Sequence, residues 1–261
     1  MAPRLFIFGL GYTAGRIAAA AEQRGWEVIS TGRAGTLSFD DLGAVRLALA
    51  GASQVLSSVP PGGDGLDQVL EQYGAEIAGK PLSYLSSTGV YGDCGGAWVD
   101  ESAPTGTGRR TARSEADAAW LARGARVLRL PGIYGPGRSA LDRVRAGRVQ
   151  RIDLPGQVFS RVHVDDIVSG ALLAFAAAAG AYNLADDLPA SQNAVIEAAC
   201  ALLGHSPPPM LSLEQAQLSP PARAFYDENR RVAGIKAKRV LGWRPRYPTF
   251  REGLRALLAA R

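Results

Sequence analysis

Glycines near the start of the chain are spaced as in loops that hold phosphate groups. The pattern Gly9-x-Gly11-x-x-Ala14-Gly15 lies between an apolar stretch, residues 5–8, and an alanine-rich stretch of helical character. Gly9 permits a sharp turn, Gly11 leaves the backbone open to a pyrophosphate, and Ala14 or Gly15 allows the helix to pack closely on the strand. The N–H groups that begin such a helix bind phosphate oxygens. A dinucleotide site is predicted at the following residues: Gly9, Gly11, Tyr12, Thr13, Ala14 and Gly15.

The cofactor choice depends on the end of the second apolar stretch. NAD-binding proteins of this architecture place an acidic residue there to hold the ribose 2′-hydroxyl. Here residues 30–33 read Ser-Thr-Gly-Arg, and the guanidinium of Arg33 suits a 2′-phosphate. The sequence therefore favours NADP(H), with NAD(H) as the alternative cofactor. The alternative interpretation of Arg33 is a solvated side chain in an arginine-rich chain.

Strand-like apolar stretches alternate with helical stretches through the first half of the chain. The later strands are expected at residues 54–59, 81–86 and 125–130. This alternation predicts an α/β fold with a Rossmann-type, doubly wound parallel sheet. In such sheets ligands bind at the carboxyl ends of the strands. The strand ends predict these further cofactor contacts: Ser58, Val59, Pro60, Ser86, Pro131 and Ile133.

The second half of the chain is less regular, and no linker separates it from the first. We expect residues 1–134, with about 165–185, to form the dinucleotide-binding domain. Residues of about 135–164 and 186–261 are expected to form a smaller substrate-binding lobe. No secondary structure is predicted for residues 210–228.

Composition restricts the class of function. The 261 residues are 47% hydrophobic and 20% charged, which is typical of a globular enzyme. The net charge is +5, but the basic residues are scattered, which argues against nucleic-acid binding. The two cysteines and two histidines lack the spacing of a metal site or a disulfide framework.

Hydropathy and the start of the chain predict where the protein works. No apolar run reaches the ~18 residues that a membrane span needs, and the chain opens directly into its first strand. We therefore expect a cytoplasmic protein that acts on a small-molecule substrate and does not associate with membranes. A homodimer remains open.

Five segments together resemble a known superfamily. They are the glycine loop, SSTGVYG at 86–92, RLPGIYGPGR at 129–138, FSRVHVDD at 159–166, and KRVLGWRPRYPTFREG at 238–253. In this order they resemble the extended short-chain dehydrogenases/reductases, which include nucleotide-sugar epimerases and dehydratases. The resemblance implies an NAD(P)-dependent oxidoreductase or epimerase for a nucleotide-sugar-like or other hydroxyl or carbonyl substrate.

The chain departs from that superfamily at its catalytic pair. The family transfers protons with a Tyr-x-x-x-Lys pair, helped by a nearby Ser or Thr. Ser87, with Thr88 beside it, corresponds to that hydroxyl residue, but none of the eight tyrosines has a lysine four residues later. In the alignment that uses the residues just before the lysine, Thr111 and Glu115 replace the pair; shifted by one, alanines do. The chain is therefore predicted to be an atypical member.

Other groups must then transfer the proton if the chain is an enzyme. The candidate catalytic residues are Ser87, Thr88, Tyr91 and Tyr134. Positive charge would come from one of three arginines: Arg109, Arg110 or Arg113. His163 is either a base or a packing and capping residue, and Asp165 is expected to cap the helix that follows it.

Two alternatives to an enzyme remain. A non-catalytic NADP(H)-binding sensor or scaffold would explain the missing pair directly. A structural relative with an empty pocket would also lack the pair, but the well-formed glycine loop argues against it.

Overall fold

The central element is a six-stranded sheet, which a computed structural model places among the described residues 2–62, 65–108 and 111–260. All five strand pairings are parallel. In chain order the strands are β1 (Arg4–Phe8), β2 (Glu27–Ser30), β3 (Gln54–Ser57), β4 (Leu82–Ser87), β6 (Arg126–Leu130) and β10 (Gly180–Asn183). Their spatial order is β10-β6-β4-β3-β1-β2.

Helices cover both faces of this sheet. On one face lie α1 (Tyr12–Glu22) and α6 (Val164–Ala174); on the other lie α2 (Leu42–Ala50), α3 (Gln68–Tyr73) and α4 (Thr111–Ala122). Successive side chains of a strand point to opposite faces, so Leu5 and Ile7 enter the first layer and Phe6 and Phe8 the second. Each such side chain contributes about 1.5–3 kcal/mol when fully buried. The predicted doubly wound parallel sheet is confirmed.

The strand order fixes where a ligand can bind. From β1 the chain adds β2 on one side and β3 on the other, so the order reverses between β1 and β3. Their carboxyl ends carry the glycine loop and Ser58. The common Rossmann order has one more strand outside β2. Here residues 31–41 are too few for another helical crossover, and a single parallel bridge joins Thr31 and Leu37 at that edge.

A second core lies beyond the strand ends. It is formed by α5 (Ala140–Arg145), α7 (Gln192–Leu203) and α10 (Phe250–Ala259). The boundaries predicted for the lobe remain a prediction. Three residues from its predicted range, Ala237, Leu241 and Trp243, pack into the core of the sheet.

The remaining elements are short. They comprise β5 (Trp98–Val99), β7 (Gly132–Tyr134), β8 (Arg151–Ile152), β9 (Arg161–His163), β11 (Met210–Leu211), β12 (Arg231–Val232), α8 (Pro220–Arg223), α9 (Ile235–Val240) and two 3₁₀ turns, Thr88–Tyr91 and Ala224–Tyr226. The strands form the parallel pairs β7-β9, β8-β11 and β5-β12. Within the described residues no helix is long and apolar enough to cross a membrane.

Two of the sequence motifs hold each other. The carboxylate of Asp166 accepts hydrogen bonds from the backbone N–H groups of Arg246 and Tyr247, at 2.6 and 3.1 Å. The indole of Trp243 donates to the carbonyl of Asp166 at 3.0 Å. The FSRVHVDD and GWRPRYP segments thus bind each other and hold the tail against α6.

The cap of α6 differs from the prediction. His163, and not Asp165, occupies the N-cap position, and its Nδ1 accepts a hydrogen bond from the backbone N–H of Asp165 at 3.2 Å. Asp165 lies inside the first turn, where its charge suits the positive end of the helix, and it pairs with Arg16 at 3.1 Å.

A buried ion pair joins α4 to the sheet. Arg129 and Asp117 are 2.7 Å apart, with 4% and 2% of their side chains exposed. Asp117 also accepts a hydrogen bond from Ser86 Oγ at 2.6 Å, and Arg129 donates to the hydroxyl of Tyr91 at 3.0 Å. Every charge in this network therefore has a partner.

Removing one charge should expose the cost of burying the other. Asp117→Asn is expected to lower the free energy of unfolding by about 3–5 kcal/mol, because Arg129 stays charged inside the protein. The measurement is denaturant unfolding at neutral pH. Glu27→Gln, which breaks the exposed Arg4–Glu27 pair, is the control and should cost less than about 1 kcal/mol. Equal effects of the two variants would contradict the prediction.

Candidate functional site

A cleft lies between the carboxyl ends of the strands and the second core formed by α5, α7 and α10, called the lobe from here on. Its volume is ≈ 1240 Å³. Pockets for one small ligand occupy about 300–1,000 Å³, so this cleft has room for a cofactor and a substrate. The glycine loop lines one end, and residues of α5, β9 and α10 line the other.

The glycine loop leaves the start of α1 open to this cleft. Gly9 has φ +83°, and a Cβ there would lie 3.0 Å from Val59 Cγ2. Gly11 is the N-cap of α1, and a Cβ on it would meet no atom within 4 Å. No side chain caps the helix, and its first turn has no acidic residue. The backbone N–H groups therefore form a cradle that fits a pyrophosphate.

Close packing of α1 on the sheet depends on Ala14. Ala14 is 1% exposed and belongs to the core beneath α1. A Cβ on Gly15 would meet no atom within 4 Å, so the close approach does not require glycine there. Of the two residues that the sequence left open, Ala14 has this role.

The predicted cofactor residues divide into two groups. Those that line the cleft are Gly11, Tyr12, Thr13, Ala14, Ser58, Ser86, Pro131 and Ile133. Those outside its lining are Gly9, Gly15, Arg33, Val59 and Pro60. Gly9 lies beneath the loop, where its carbonyl accepts a hydrogen bond from Ser58 Oγ. Arg33 is exposed at the end of β2.

Ser87 and Thr88 both line the cleft, as the sequence predicts. Ser87 ends β4 and caps the 3₁₀ turn Thr88–Tyr91, because its Oγ accepts a hydrogen bond from Gly89 N at 3.1 Å. Ser87 is half-buried and Thr88 is buried, so their positions are fixed by the strand and the turn.

The structure does not place Tyr91 in the cleft. It is 1% exposed, and its hydroxyl donates to Asn183 Oδ1 at 2.8 Å while accepting from Arg129. Burial raises its pKa, and the charge of Arg129 opposes this shift. The expectation that Tyr91 transfers a proton to a substrate is not met, because the side chain points into the buried network.

Tyr134 reaches the cleft, but its hydroxyl is directed at the tail. The hydroxyl donates to the carbonyl of Thr249 at 3.5 Å. Burial and nearby acidic residues raise its pKa well above the usual range. The lining holds two other tyrosines, Tyr12, which the sequence predicts as a cofactor contact, and Tyr226, which it does not predict; burial raises the pKa of both. The pKa of each of these three lining tyrosines is therefore raised, and none of the three is activated by a lowered pKa.

Helix α4 presents an arginine to the cleft. Arg113 is half-buried in the lining, and its Nη1 donates to the hydroxyl of Tyr84 at 3.3 Å. Thr111 and Glu115, which replace the family's tyrosine and lysine in one of the two alignments, are exposed and lie outside the lining. The other two candidate cations, Arg109 and Arg110, lie outside the described residues.

His163 has the features of a packing and capping residue. It is 1% exposed and lies between the rings of Tyr134 and Tyr247. Burial lowers its pKa to about 4, so the ring is neutral at physiological pH. It does not line the cleft, and its Nε2 has no hydrogen-bond partner among the described residues.

Several arginines of the cleft lining are not among the residues that the sequence predicts. They are Arg138, Arg143, Arg148, Arg161 and Arg230. Arginines are frequent throughout the chain, so residue type alone could not single them out. Two of them, Arg138 and Arg161, lie inside segments that resemble the superfamily, and this was the available signal.

Asp186 is the acidic residue that acts on Arg161. The backbone N–H of Asp186 donates to the carbonyl of Arg161 at 2.8 Å, and Asp186 is 2% exposed. Burial raises the pKa of Asp186 to about 7; a hydrogen bond from Leu188 N and the charge of Arg161 oppose that shift. Its Oδ2 has no hydrogen-bond partner in the described part of the chain.

Comparison with solved structures relates the whole chain to known proteins. A conserved protein of unknown function from Silicibacter pomeroyi DSS is 38% identical, with 99% of both chains covered and a TM-score of 0.88. The chain belongs to the same family as that protein. The UDP-glucose 4-epimerase of Thermus thermophilus, solved with NAD, covers 98% of both chains at 20% identity and a TM-score of 0.76. The chain has the fold of an extended short-chain dehydrogenase/reductase.

One further protein is similar to part of this chain in sequence. The 3-diazoavenalumate denitrifying reductase of a Streptomyces species is 34% identical over 140 residues, 49% of this chain. The match spans 45% of the length of that reductase. No protein-family model matches the chain.

The buried carboxyl of Asp186 gives a prediction about pH. The pKa of Asp186 in the folded protein, about 7, lies above the ordinary value of 3.8. The protonated carboxyl therefore contributes its full share to the free energy of unfolding below the unfolded pKa, and this contribution is lost as the pH rises through about 7. Between about pH 5.5 and about pH 8.5, wild type should lose roughly 2 kcal/mol that Asp186→Asn retains. Denaturant unfolding at both pH values measures this difference.

A matched control uses the neighbouring residue. Asp187 is exposed and pairs with Lys238, so Asp187→Asn should keep the wild-type dependence on pH. An Asp186→Asn variant whose stability varied with pH as wild type does would refute the assignment.

Proposed function

We propose that the chain binds NADP(H) and acts as an atypical oxidoreductase on a small molecule with a hydroxyl or carbonyl group. The observation that carries this proposal is the uncapped start of α1, which opens at Gly11 onto a cleft of ≈ 1240 Å³. A pyrophosphate fits such a helix start because its N–H groups lack intrahelical partners. The fold of NAD-bound relatives supports the same position for the cofactor.

The end of β2 supports NADP(H) over NAD(H). Gly32 approaches the glycine loop so closely that a Cβ would lie 2.9 Å from the backbone nitrogen of Leu10. The close approach at Gly32 supports a place near the loop for the exposed residue that follows it, Arg33. Residues 30–33 include no carboxylate that would repel a 2′-phosphate.

The residues at the floor of the cleft suit a reaction at a carbon–oxygen bond. When bound, a reduced pyridine nucleotide supplies a hydride. Ser87 and Thr88 offer hydroxyl groups to the reacting oxygen, and Arg113 offers a positive charge from α4. The local similarity to a Streptomyces reductase supports reduction, and similarity to UDP-glucose 4-epimerase supports chemistry at a hydroxyl-bearing carbon.

A non-catalytic NADP(H) sensor is the second candidate. The cleft lining favours a sensor, because burial raises the pKa of its tyrosines Tyr12, Tyr134 and Tyr226 and so makes them poor proton-transfer groups. A sensor needs the cradle but no proton donor. Loss of a general acid or base costs roughly 10²–10⁴ in rate, so slow turnover would still mark an enzyme.

Substitution of Gly11 tests the cofactor site. Gly11→Val should weaken NADPH binding at least roughly tenfold, because its branches would occupy the space open to the pyrophosphate. Calorimetry with NADPH measures the affinity. Gly15→Ala is the control: its methyl group has room in the same helix, so affinity should be unchanged. Absence of binding of any pyridine nucleotide to wild type would refute the proposal.

Substitution of Arg33 tests the choice between the two cofactors. Arg33→Ala should lower NADPH affinity about tenfold and leave NADH affinity unchanged, since a charged hydrogen bond contributes about 1.5–3 kcal/mol. Arg24→Ala, at an exposed arginine beyond α1, is the control. Unchanged NADPH affinity in the Arg33 variant would remove the support for NADP(H).

Turnover distinguishes the enzyme from the sensor. We expect NADPH oxidation with at least one compound from a panel of carbonyl compounds and sugar nucleotides, followed by absorbance. Ser87→Ala should slow that turnover without weakening NADPH binding. Tight NADPH binding with no turnover over the whole panel would favour the sensor.

A further inference from the structure

The lobe half of the cleft carries two arginines that form no ion pair with a described residue. Arg143 of α5 and Arg161 of β9 line it, and neither has a described carboxylate at ion-pair distance. The two carboxylates of the lining are already engaged. Asp142 completes the capping box of α5, and Glu228 pairs with Arg230 at 2.9 Å.

Arg161 is a fixed charge in the wall of the cleft. It is 7% exposed, and its Nη1 donates to the carbonyls of Phe159 and Ala190, both at 2.8 Å. Its Nη2 donates to Gln192 Oε1 at 3.2 Å. All of these acceptors are neutral. Burial lowers the pKa of Arg161 to about 10; the charge of Asp186 opposes that shift and the charge of Arg143 adds to it.

Three polar side chains around Arg161 have donors available to a ligand. The Oε1 of Gln192 accepts from Arg161, so the NH₂ group of the Gln192 amide points away from Arg161. Arg143 is exposed to the cleft and has no side-chain hydrogen bond to a described residue. Tyr226 also lines the cleft, and its ring packs edge-on against Phe159, the ring beside the guanidinium of Arg161. All three side chains line the cleft.

The surrounding wall is apolar and largely aromatic. The guanidinium of Arg161 lies 5.9 and 6.0 Å from the ring centroids of Phe159 and Phe250. Phe159 also makes an edge contact with Tyr226, at 5.7 Å between centroids. The rest of this wall includes Val195, Leu218 and Leu254. The rings beside Arg161 suit the flat, apolar body of a ligand.

We propose that this end of the cleft is a substrate site for an organic acid with a flat, apolar body. The carboxylate binds Arg143, Gln192 and Tyr226 beside the fixed charge of Arg161, and the apolar body lies against Phe159 and Phe250. A phosphate would use the same donors, so the test includes one. The inference rests on the proposed function, because it assigns the substrate of the reaction at the cofactor end of the same cleft.

The experiment is calorimetry on the NADPH-saturated full chain with four probes of stated chemistry. They are trans-cinnamate, its neutral amide, phenyl phosphate and UDP-glucose. We expect cinnamate to bind at least roughly tenfold more tightly than the amide, because the charged hydrogen bonds are lost with the carboxylate. Tighter binding of phenyl phosphate or of UDP-glucose would overturn the assignment to an acid, as would an absence of binding by all four.

Matched variants locate the site. Arg143→Ala should weaken cinnamate at least roughly tenfold, and Arg143→Lys should restore part of that loss because the charge returns without the planar fork. Arg145→Ala, on the same helix but outside the lining, should have no effect. Gln192→Glu should also weaken cinnamate, through repulsion. Unchanged cinnamate affinity in Arg143→Ala would refute the site.

The two proposals fail in distinguishable ways. NADPH affinity is measured first for wild type and every variant, and the cinnamate titration is repeated without nucleotide. NADPH binding without cinnamate binding would overturn the acid site and leave the cofactor proposal intact. Cinnamate binding that depends on Arg143, without NADPH binding, would support the acid site and reject the cofactor.

Discussion

The buried contact between Arg129 and Asp117 connects the parts of the molecule on which the cleft depends. Two charges with almost no exposure to water are tolerated only when both are fully hydrogen-bonded. Their remaining partners supply those bonds: Ser86 comes from the end of β4, and Tyr91 from the turn that follows it. The pair thereby holds α4 against the sheet just below the residues that form the cleft floor.

This network also explains why a conspicuous tyrosine is not available for catalysis. The hydroxyl of Tyr91 accepts from Arg129 and donates to Asn183, so it links β6 to β10. A tyrosine used in this way stays protonated, and burial raises its pKa further from the physiological range. Ser87 and Thr88, a few residues earlier, benefit from the same anchoring and reach the cleft. One short turn thus separates a structural tyrosine from two hydroxyl residues that line the cleft.

The two ends of the cleft differ in what they offer a ligand. The cofactor end offers backbone N–H groups from a helix start, which suit the phosphates of many nucleotides. The lobe end offers side-chain charge held in an apolar wall, where electrostatic interactions are stronger than in water. Specificity for a substrate would therefore arise in the lobe, even though the α/β half carries the recognisable motifs.

The sequence by itself determined the sheet, its helices and the position of the glycine loop. These features follow from local patterns: apolar runs, helical periodicity, and the spacing of the glycines. At Gly9, for example, a Cβ would lie too close to Val59. The sequence also predicted that Ser87 and Thr88 lie at the cleft, because they stand at the carboxyl end of a strand.

Only the tertiary structure decided which side chains face the cleft. Whether Tyr91 points to a substrate or to Arg129, and whether His163 or Asp165 caps α6, depends on contacts between residues far apart in the chain. Which arginines line the cleft could not be predicted for the same reason. Arg143 and Arg161 lie on separate elements, and their shared cleft exists only after α5, β9 and α10 pack together.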